Sequence, residues 1–151
     1  MKILLDTSIL VDVDRGKEPT IELLSRLIRS EAELLVSTIT ISEILTGAYL
    51  NSGKAVAKAK EILGQFQFID FDAEAADEAA KFTSHRIHFG IPIPFEDIAI
   101  AACAKVAKSD FLLTTNKKDF DMPYLRGKVF TPREFMEHAD RLQAGWRLKP
   151  D

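Results

Sequence analysis

The sequence predicts a single α/β domain in which helices cover both faces of a parallel sheet, giving three layers. Three observations predict this fold. The chain has 151 residues, which suits one domain with a full hydrophobic core. Its strand candidates are short apolar runs without polar alternation, as expected of strands buried on both faces. Helical segments separate these runs, which favours βαβ units with right-handed crossovers.

The first half of the chain supplies two strands and four helices. Ile3-Leu4-Leu5 is the first strand candidate, and it runs directly into Asp6. Pro19 occupies a favoured position at the start of a helix, and Gly16 and Gly53 mark breaks. The predicted elements are helices over residues 8–15 and 18–30, a strand over 33–37, and helices over 40–50 and 54–63.

The second half repeats the alternation. Pro92 and Pro94 require an extended segment, and Gly90 before them is a plausible helix stop. The predicted elements are a strand over 66–71, helices over 73–89 and 95–108, strands over 111–114 and 128–130, and a helix from Pro132. We expect one domain over residues 1–140 and a tail over 141–151.

Composition and charge exclude several classes of protein. No apolar run approaches the ~18 residues that span a bilayer, and the N-terminus lacks the features of a signal peptide. Cys103 is the single cysteine, so no internal disulfide forms. We therefore predict a cytoplasmic protein without membrane contact. The net charge of -3 does not indicate nucleic-acid binding, so local lysines or metal ions would have to attract such a ligand.

Four acidic residues lie near the ends of strands or the starts of helices: Asp6, Glu43, Asp97 and Asp119. Each has a structural explanation. Asp6 fits a helix cap, Thr40 and Glu43 fit a capping box, and Asp97 would favour the positive end of its helix dipole. Residues 116–119 also have capping spacing.

Taken together, the four acids indicate a metal-binding catalytic site. The carboxyl ends of parallel strands share one edge of a sheet, so Asp6, Glu43 and Asp119 should lie close together. Asp97 joins them only if its helix begins at the same edge, which the sequence leaves open. Clustered carboxylates repel one another unless a cation intervenes, and oxygen ligands favour Mg²⁺ or Mn²⁺. The pattern predicts metal-assisted hydrolysis of a phosphate ester.

The order and spacing of four motifs resemble the PIN-domain nucleases and, within them, the VapC toxins of toxin–antitoxin pairs. The motifs are Leu4-Leu5-Asp6-Thr7-Ser8, Ser42-Glu43-Ile44-Leu45-Thr46-Gly47, Asp97-Ile98-Ala99-Ile100-Ala101-Ala102, and Leu113-Thr114-Thr115-Asn116 with Asp119-Phe120. The resemblance implies a five-stranded parallel sheet with strand order 3-2-1-4-5.

The resemblance also implies an Mg²⁺- or Mn²⁺-dependent endoribonuclease. By position, Asp6 and Asp97 would be direct metal ligands, and Glu43 and Asp119 would hold metal-bound waters or a second ion. The fourth site position falls on Asp119 or on Asn116. The residues expected to orient the carboxylates are Thr7, Thr115 and Asn116.

The implied partners are RNA, a VapB-like antitoxin and a second copy of the chain. In-line attack by a metal-activated water would leave 5′-phosphate and 3′-hydroxyl ends. The antitoxin would insert a peptide near the acids and could place an arginine on them. Its groove would be lined by Leu10, Val13, Leu45 and Tyr49. The lysines able to meet the RNA backbone are Lys54, Lys58, Lys117 and Lys118.

Two alternatives stay open. One is an RNA-processing PIN nuclease that has no antitoxin. The other is a receiver-like, non-catalytic metal-binding module, with Asp70 or Asp72 as phosphoacceptor; this fits less well, because Thr131-Pro132 stands where a lysine is needed. His85 and His88 form a possible metal pair, but without a third ligand nearby they are better explained as surface histidines.

Overall fold

The computed structural model describes the backbone of residues 1–147 and the side-chain surroundings of residues 1–141. Within that part the strands are β1 (Lys2–Leu5), β2 (Glu33–Ser37), β3 (Gln67–Ile69), β4 (Phe111–Leu113) and β5 (Val129–Phe130). The helices are α1 (Thr7–Asp14), α2 (Glu18–Arg29), α3 (Thr38–Tyr49), α4 (Gly53–Leu63), α5 (Ala73–His88), α6 (Phe95–Val106) and α7 (Pro132–Arg147). Two 3₁₀ turns, Lys117–Phe120 and Pro123–Leu125, connect β4 to β5.

The five strands form one parallel sheet in the order β3-β2-β1-β4-β5, which confirms the predicted topology. β1 lies at the centre, with Leu4 paired to Leu35 of β2 and to Leu112 of β4. The amide of Asp6 donates to the carbonyl of Leu113 at 2.9 Å, one residue beyond β1. Asp6 is therefore fixed at the point where the central strand leaves the sheet.

The residues of β1 alternate between two hydrophobic cores. Ile3 and Leu5 face the core built with α1, α2 and α7, whereas Leu4 faces the core built with α5 and α6. All three side chains are fully buried, and burying each contributes about 1.5–3 kcal/mol. The unalternating apolar run in the sequence is thus explained by a sheet that is covered on both faces, and the predicted three layers are confirmed.

Helix α6 places a long run of small side chains against its neighbours. Every residue from Ile98 to Ala104 is buried, and most of them are alanines, so the neighbouring helix α5 can approach closely. Cys103 belongs to this run, and burial raises the pKa of its thiol to about 12. The thiol stays protonated and packs as a small apolar group.

The start of α3 differs from the prediction. The helix begins at Thr38 rather than at residue 40, because the side chain of Ser37 accepts a hydrogen bond from the amide of Thr40 at 3.2 Å. The capping box predicted for Thr40 and Glu43 is therefore wrong. Thr40 lies inside the first turn, and Glu43 lies in the second turn, where its carboxylate is free of any capping role.

Helix α7 continues to Arg147, past residue 141, where the sequence predicts the start of a tail. Residues 148–151 of that predicted tail lie outside the described residues, and the division of the chain at residue 140 stays a prediction. Among the described helices, none combines the length and the apolar composition that crossing a membrane requires.

Candidate functional site

The structure brings the four acidic residues together at the carboxyl edge of the sheet. Asp6 follows β1, Glu43 lies in α3, Asp97 lies in the first turn of α6, and Asp119 lies in the 3₁₀ turn after β4. The charges of Asp6, Asp119 and Glu43 all raise the pKa of Asp97, so these three carboxyl groups lie within electrostatic reach of Asp97. Helix α6 thus begins at the shared edge, which the sequence alone left open.

Asp6 is held rigidly. Its Oδ2 accepts hydrogen bonds from the Ser8 hydroxyl at 2.7 Å, the Thr114 hydroxyl at 2.8 Å and, more weakly, the Ser8 amide at 3.4 Å. The amide contact makes Asp6 the N-cap of α1, so the structural explanation of this residue is correct. Capping occupies one oxygen of the carboxylate, however, and leaves the other available.

Glu43 ends a chain of hydroxyl groups that begins inside the protein. The Thr7 hydroxyl donates to Glu43 Oε1 at 2.7 Å and lies 3.0 Å from the Thr40 hydroxyl. The single hydroxyl proton of Thr7 can therefore be donated to the Glu43 carboxylate or to the Thr40 hydroxyl oxygen, and the contact with Glu43 is the shorter. Ser37 and Thr40 are fully buried, and their hydroxyls lie 3.4 Å apart. The orienting role expected of Thr7 therefore has a geometric basis.

Burial raises the pKa of Glu43, and the charges of Asp6 and Glu96 raise it further, against the hydrogen bond from Thr7. Glu96 is a fifth acid whose charge reaches this cluster, and the sequence did not single it out. Its charge also raises the pKa of Asp97, although it is exposed itself. The available signal was its place beside Asp97 in the first turn of α6.

Asp97 is half-buried and receives no hydrogen bond or ion pair from the described residues. Desolvation by burial, followed by the charges of Asp6, Asp119, Glu43 and Glu96, raises its pKa from 3.8 to about 7. In the described surroundings no cationic group or hydrogen-bond donor compensates the charge of this carboxyl group. A carboxyl group in that condition is typical of functional sites.

The loop after β4 contributes Asp119 and its neighbours. The side-chain amide of Asn116 donates to Asp119 Oδ2, so the two candidates for the fourth position contact each other. Thr114, rather than Thr115, donates to the carboxylate of Asp6. Thr115 reaches the site through its backbone amide, which donates to the Ser8 hydroxyl at 3.0 Å. Sequence reasoning missed Thr114 and the role of Ser8.

The donor set fits a hard divalent cation. Its ligands would all be oxygens, and within the described residues none of the four acids forms an ion pair that would neutralise its charge. No three His, Cys, Asp or Glu side chains of the described chain stand ready to hold a metal ion directly. Mg²⁺ suits such an open arrangement, since it keeps several waters and takes only one or two carboxylates as ligands.

Comparison with known proteins points to one family. Residues 3–123 match the family model described as PIN domain. A curated relative, Ribonuclease VapC2 of Haemophilus influenzae, is 27% identical over 123 residues, which are 80% of this chain and 91% of the relative.

Solved structures share the fold. The crystal structure of VapBC2 from Rickettsia felis bound to a DNA fragment from their promoter matches with a TM-score of 0.78 at 22% identity, covering 87% of this chain and 98% of that chain. The crystal structure of FitAcB from Neisseria gonorrhoeae matches with a TM-score of 0.71 at 29% identity, covering 86% of this chain and 97% of that chain.

Proposed function

This chain belongs to the PIN domain family, and from that membership we propose that it is an Mg²⁺- or Mn²⁺-dependent endoribonuclease and the toxin of a toxin–antitoxin pair. The observation that carries the proposal is the unpaired carboxyl of Asp97 among three other acids. The curated relative named as a VapC ribonuclease supports RNA as the substrate.

The four acidic residues would have two different roles at the metal. Asp6 and Asp97 would hold the metal directly, and Glu43 and Asp119 would hold its waters, each oriented by the neighbour that donates to it: Thr7 for Glu43 and Asn116 for Asp119. A bound divalent cation would supply Lewis-acid stabilisation of the phosphate and activation of water. The protein supplies a cluster of negative charge that a divalent cation would balance.

RNA would approach through exposed lysines beside the acids. Lys117 forms an ion pair with Glu134 at 3.0 Å, and Lys58 forms one with Asp14 at 2.8 Å. Because a carboxylate already neutralises each of these lysines, both are weaker candidates for contacting RNA phosphates than the sequence alone indicated. Lys118 is exposed, next to Asp119, and forms no ion pair within the described residues. Lys54 is also exposed and without an ion pair in that part of the chain, but Lys118 adjoins an acid of the site, and we expect Lys118 to contact a phosphate.

An antitoxin peptide has a candidate groove between α1, α3 and α4. The groove has a volume of about 530 Å³ and begins at Thr7 and Glu43. Of the four residues predicted to line it, Leu10 does so, whereas Val13 and Leu45 pack against the core shared by α1, α2 and α7. Tyr49 is exposed and is not among the lining residues, so the prediction was wrong for three of the four. An arginine of the peptide at the Glu43 end would pair with the carboxylates. Neighbours solved as VapBC complexes support such a partner.

A homodimer is also part of the proposal. Four large apolar side chains lie exposed around the connection between α5 and α6: Ile87, Phe89, Ile91 and Phe95. Exposed apolar groups gathered in this way are typical of protein interfaces. Light scattering coupled to gel filtration would report a dimer for the wild type and a monomer for Phe89→Glu; a wild-type monomer at high protein concentration would overturn the dimer.

The activity test uses purified protein and a fluorogenic mixed-sequence RNA with Mn²⁺. We expect cleavage that stops in EDTA and is absent in Asp6→Asn, and no cleavage of the matching DNA. Asn is a good N-cap, so this variant removes the charge and keeps α1 intact. Equal cleavage by wild type and variant would contradict the assigned site.

The toxin assignment is tested through genome context. A small open reading frame immediately upstream is expected to encode the antitoxin. Its product, co-expressed with this chain, should form a stable complex and inhibit RNA cleavage. Cleavage that the neighbouring product leaves unchanged would favour an RNA-processing nuclease without an antitoxin.

A further inference from the structure

Two hydroxyl groups converge on a single oxygen of Asp6. The Ser8 and Thr114 hydroxyls donate to Oδ2 at 2.7 and 2.8 Å, and the Ser8 amide approaches the same atom at 3.4 Å. Asp6 is only 5% exposed, and in the described chain no donor reaches its Oδ1. The lone pairs of one carboxylate oxygen are therefore occupied by the protein, and those of the other are free.

Each of the two hydroxyls is itself held in place. The amide of Thr115 donates to Ser8 Oγ at 3.0 Å, and the amide of Asn116 donates to Thr114 Oγ1 at 3.0 Å. A hydroxyl that accepts from a fixed backbone amide has its proton directed elsewhere, here towards Asp6. The two hydroxyl oxygens lie 3.4 Å apart, but neither needs the other, since both protons are committed to Asp6.

We infer that Ser8 and Thr114 are positioning residues that hold Asp6 by Oδ2 and present Oδ1 as its single metal-binding oxygen. The inference rests on the proposed metal-dependent function. Mg²⁺ demands near-ideal octahedral geometry, and a carboxylate fixed by neighbouring hydrogen bonds loses little freedom when it binds. Ser8 also joins the first strand's acid to the loop that carries Asp119, because its hydroxyl accepts from Thr115 in that loop.

The test measures Mn²⁺ affinity by isothermal titration calorimetry at pH 8, without RNA. Ser8→Ala and Thr114→Val are each expected to weaken binding by about 10–100-fold, the usual effect of removing a residue that orients a metal ligand. Ser8→Thr keeps a hydroxyl and should recover most of the affinity. Because both hydroxyls act on one oxygen, the double variant should lose less than the product of the two single losses.

A matched control removes a hydroxyl away from the site. Ser30 donates to the carbonyl of Leu27 at 2.8 Å, and Ser30→Ala should bind Mn²⁺ like the wild type. Melting temperatures without metal establish that each variant is folded. If Ser8→Ala does not fold, the Mn²⁺ affinity of Thr114→Val tests the inference instead.

The outcomes separate the two proposals. Folded Ser8→Ala and Thr114→Val proteins that bind Mn²⁺ within twofold of the wild type would overturn this inference alone. A wild type that binds no Mn²⁺ at millimolar concentration would overturn the proposed function and the inference with it. Loss of affinity in Ser8→Thr equal to that in Ser8→Ala would also count against the hydroxyl as the cause.

Discussion

Asp6 and Asp97 share one site, but the surrounding protein treats their charges in opposite ways. Asp6 is nearly buried and receives three hydrogen bonds on one oxygen. Asp97 is half-buried, receives none from the described residues, and has a pKa raised to about 7. Asp6 caps helix α1, which accounts for its carboxylate in structural terms. In the described structure, no cation or hydrogen-bond donor stabilises the charged form of Asp97. The half-buried charge of Asp97 therefore costs stability when no ligand is bound, and a raised pKa of this kind is typical of a functional site.

Removing the charge of Asp6 should have the largest effect. Asp6→Asn is expected to lower the rate of RNA cleavage by about 10²–10³-fold or more, the loss typical of deleting one electrostatic group from an active site. Initial rates on a fluorogenic RNA at saturating Mn²⁺ measure it. The melting temperature without metal should change little, because asparagine also caps helices. A rate within tenfold of the wild type would remove Asp6 from the site.

Asp97→Asn should separate stability from activity. We expect loss of cleavage, together with a free energy of unfolding about 1 kcal/mol higher than the wild type at pH 8 without metal. That figure is discounted for solvent screening of a partly exposed group. Urea denaturation in EDTA measures the change. A destabilised variant would mean that the charge of Asp97 is already compensated.

The pH dependence follows from the same pKa. Between the ordinary value of 3.8 and about 7, the unfolded chain has lost the Asp97 proton and the folded chain has kept it. The unfolded state thus binds fewer protons, and this contribution to stability falls as pH rises through that window. Asp97→Asn should flatten this part of the curve of unfolding free energy between pH 4 and 8. An unchanged slope would contradict the raised pKa.

The affinity for Mn²⁺ should rise with pH, whereas the contribution of Asp97 to stability without metal falls with pH. Below the pKa of Asp97, Mn²⁺ must displace a proton, so its affinity should fall by up to about tenfold for each pH unit from 7 to 5. Titration calorimetry at several pH values in two buffers would detect the released proton. Affinity that is constant over this range would exclude Asp97 as a ligand.

Lys118→Ala should have the smallest effect. Losing one phosphate contact is expected to weaken RNA binding a few-fold and to reduce the slope of log affinity against log salt by about 1. Arg29→Ala is a suitable control, because Arg29 lies at the end of α2 that precedes β2, at the opposite edge of the sheet. Equal effects of the two variants would mean that RNA is attracted by overall charge alone.

The fold was largely predictable from the sequence, because unalternating apolar runs such as Ile3-Leu4-Leu5 require a sheet that is covered on both faces. The strand order came from the resemblance. Local details were harder: Ser37, not Thr40, caps α3, since the cap depends on which hydroxyl faces a free amide. Sequence spacing gives helix periodicity but not that orientation.

The four acids were likewise predicted from their positions near strand ends and helix starts, but their environments were not. Neither the occupied Oδ2 of Asp6 nor the unpaired carboxyl of Asp97 has a sequence signature, because both depend on parts of the chain that only folding brings together. Thr114, for example, lies 108 positions from Asp6, and Asp6 acts on Asp97. The choice of Thr114 over Thr115 depends on which of the two hydroxyls faces Asp6 at the end of β4. Glu96 was not predicted, because an exposed acid in the first turn of a helix is common and no sequence motif distinguishes it.

The most direct test of the account compares the unfolding free energies of wild type and Asp97→Asn at pH 8, with and without Mn²⁺. A cation that binds only the folded state stabilises it, by about 2.7 kcal/mol at one hundred times its dissociation constant. We predict this gain for the wild type and little or none for Asp97→Asn, so that the variant is more stable without metal and less stable with it. Equal gains in both proteins, or none in the wild type, would contradict a cation site built around Asp6 and Asp97.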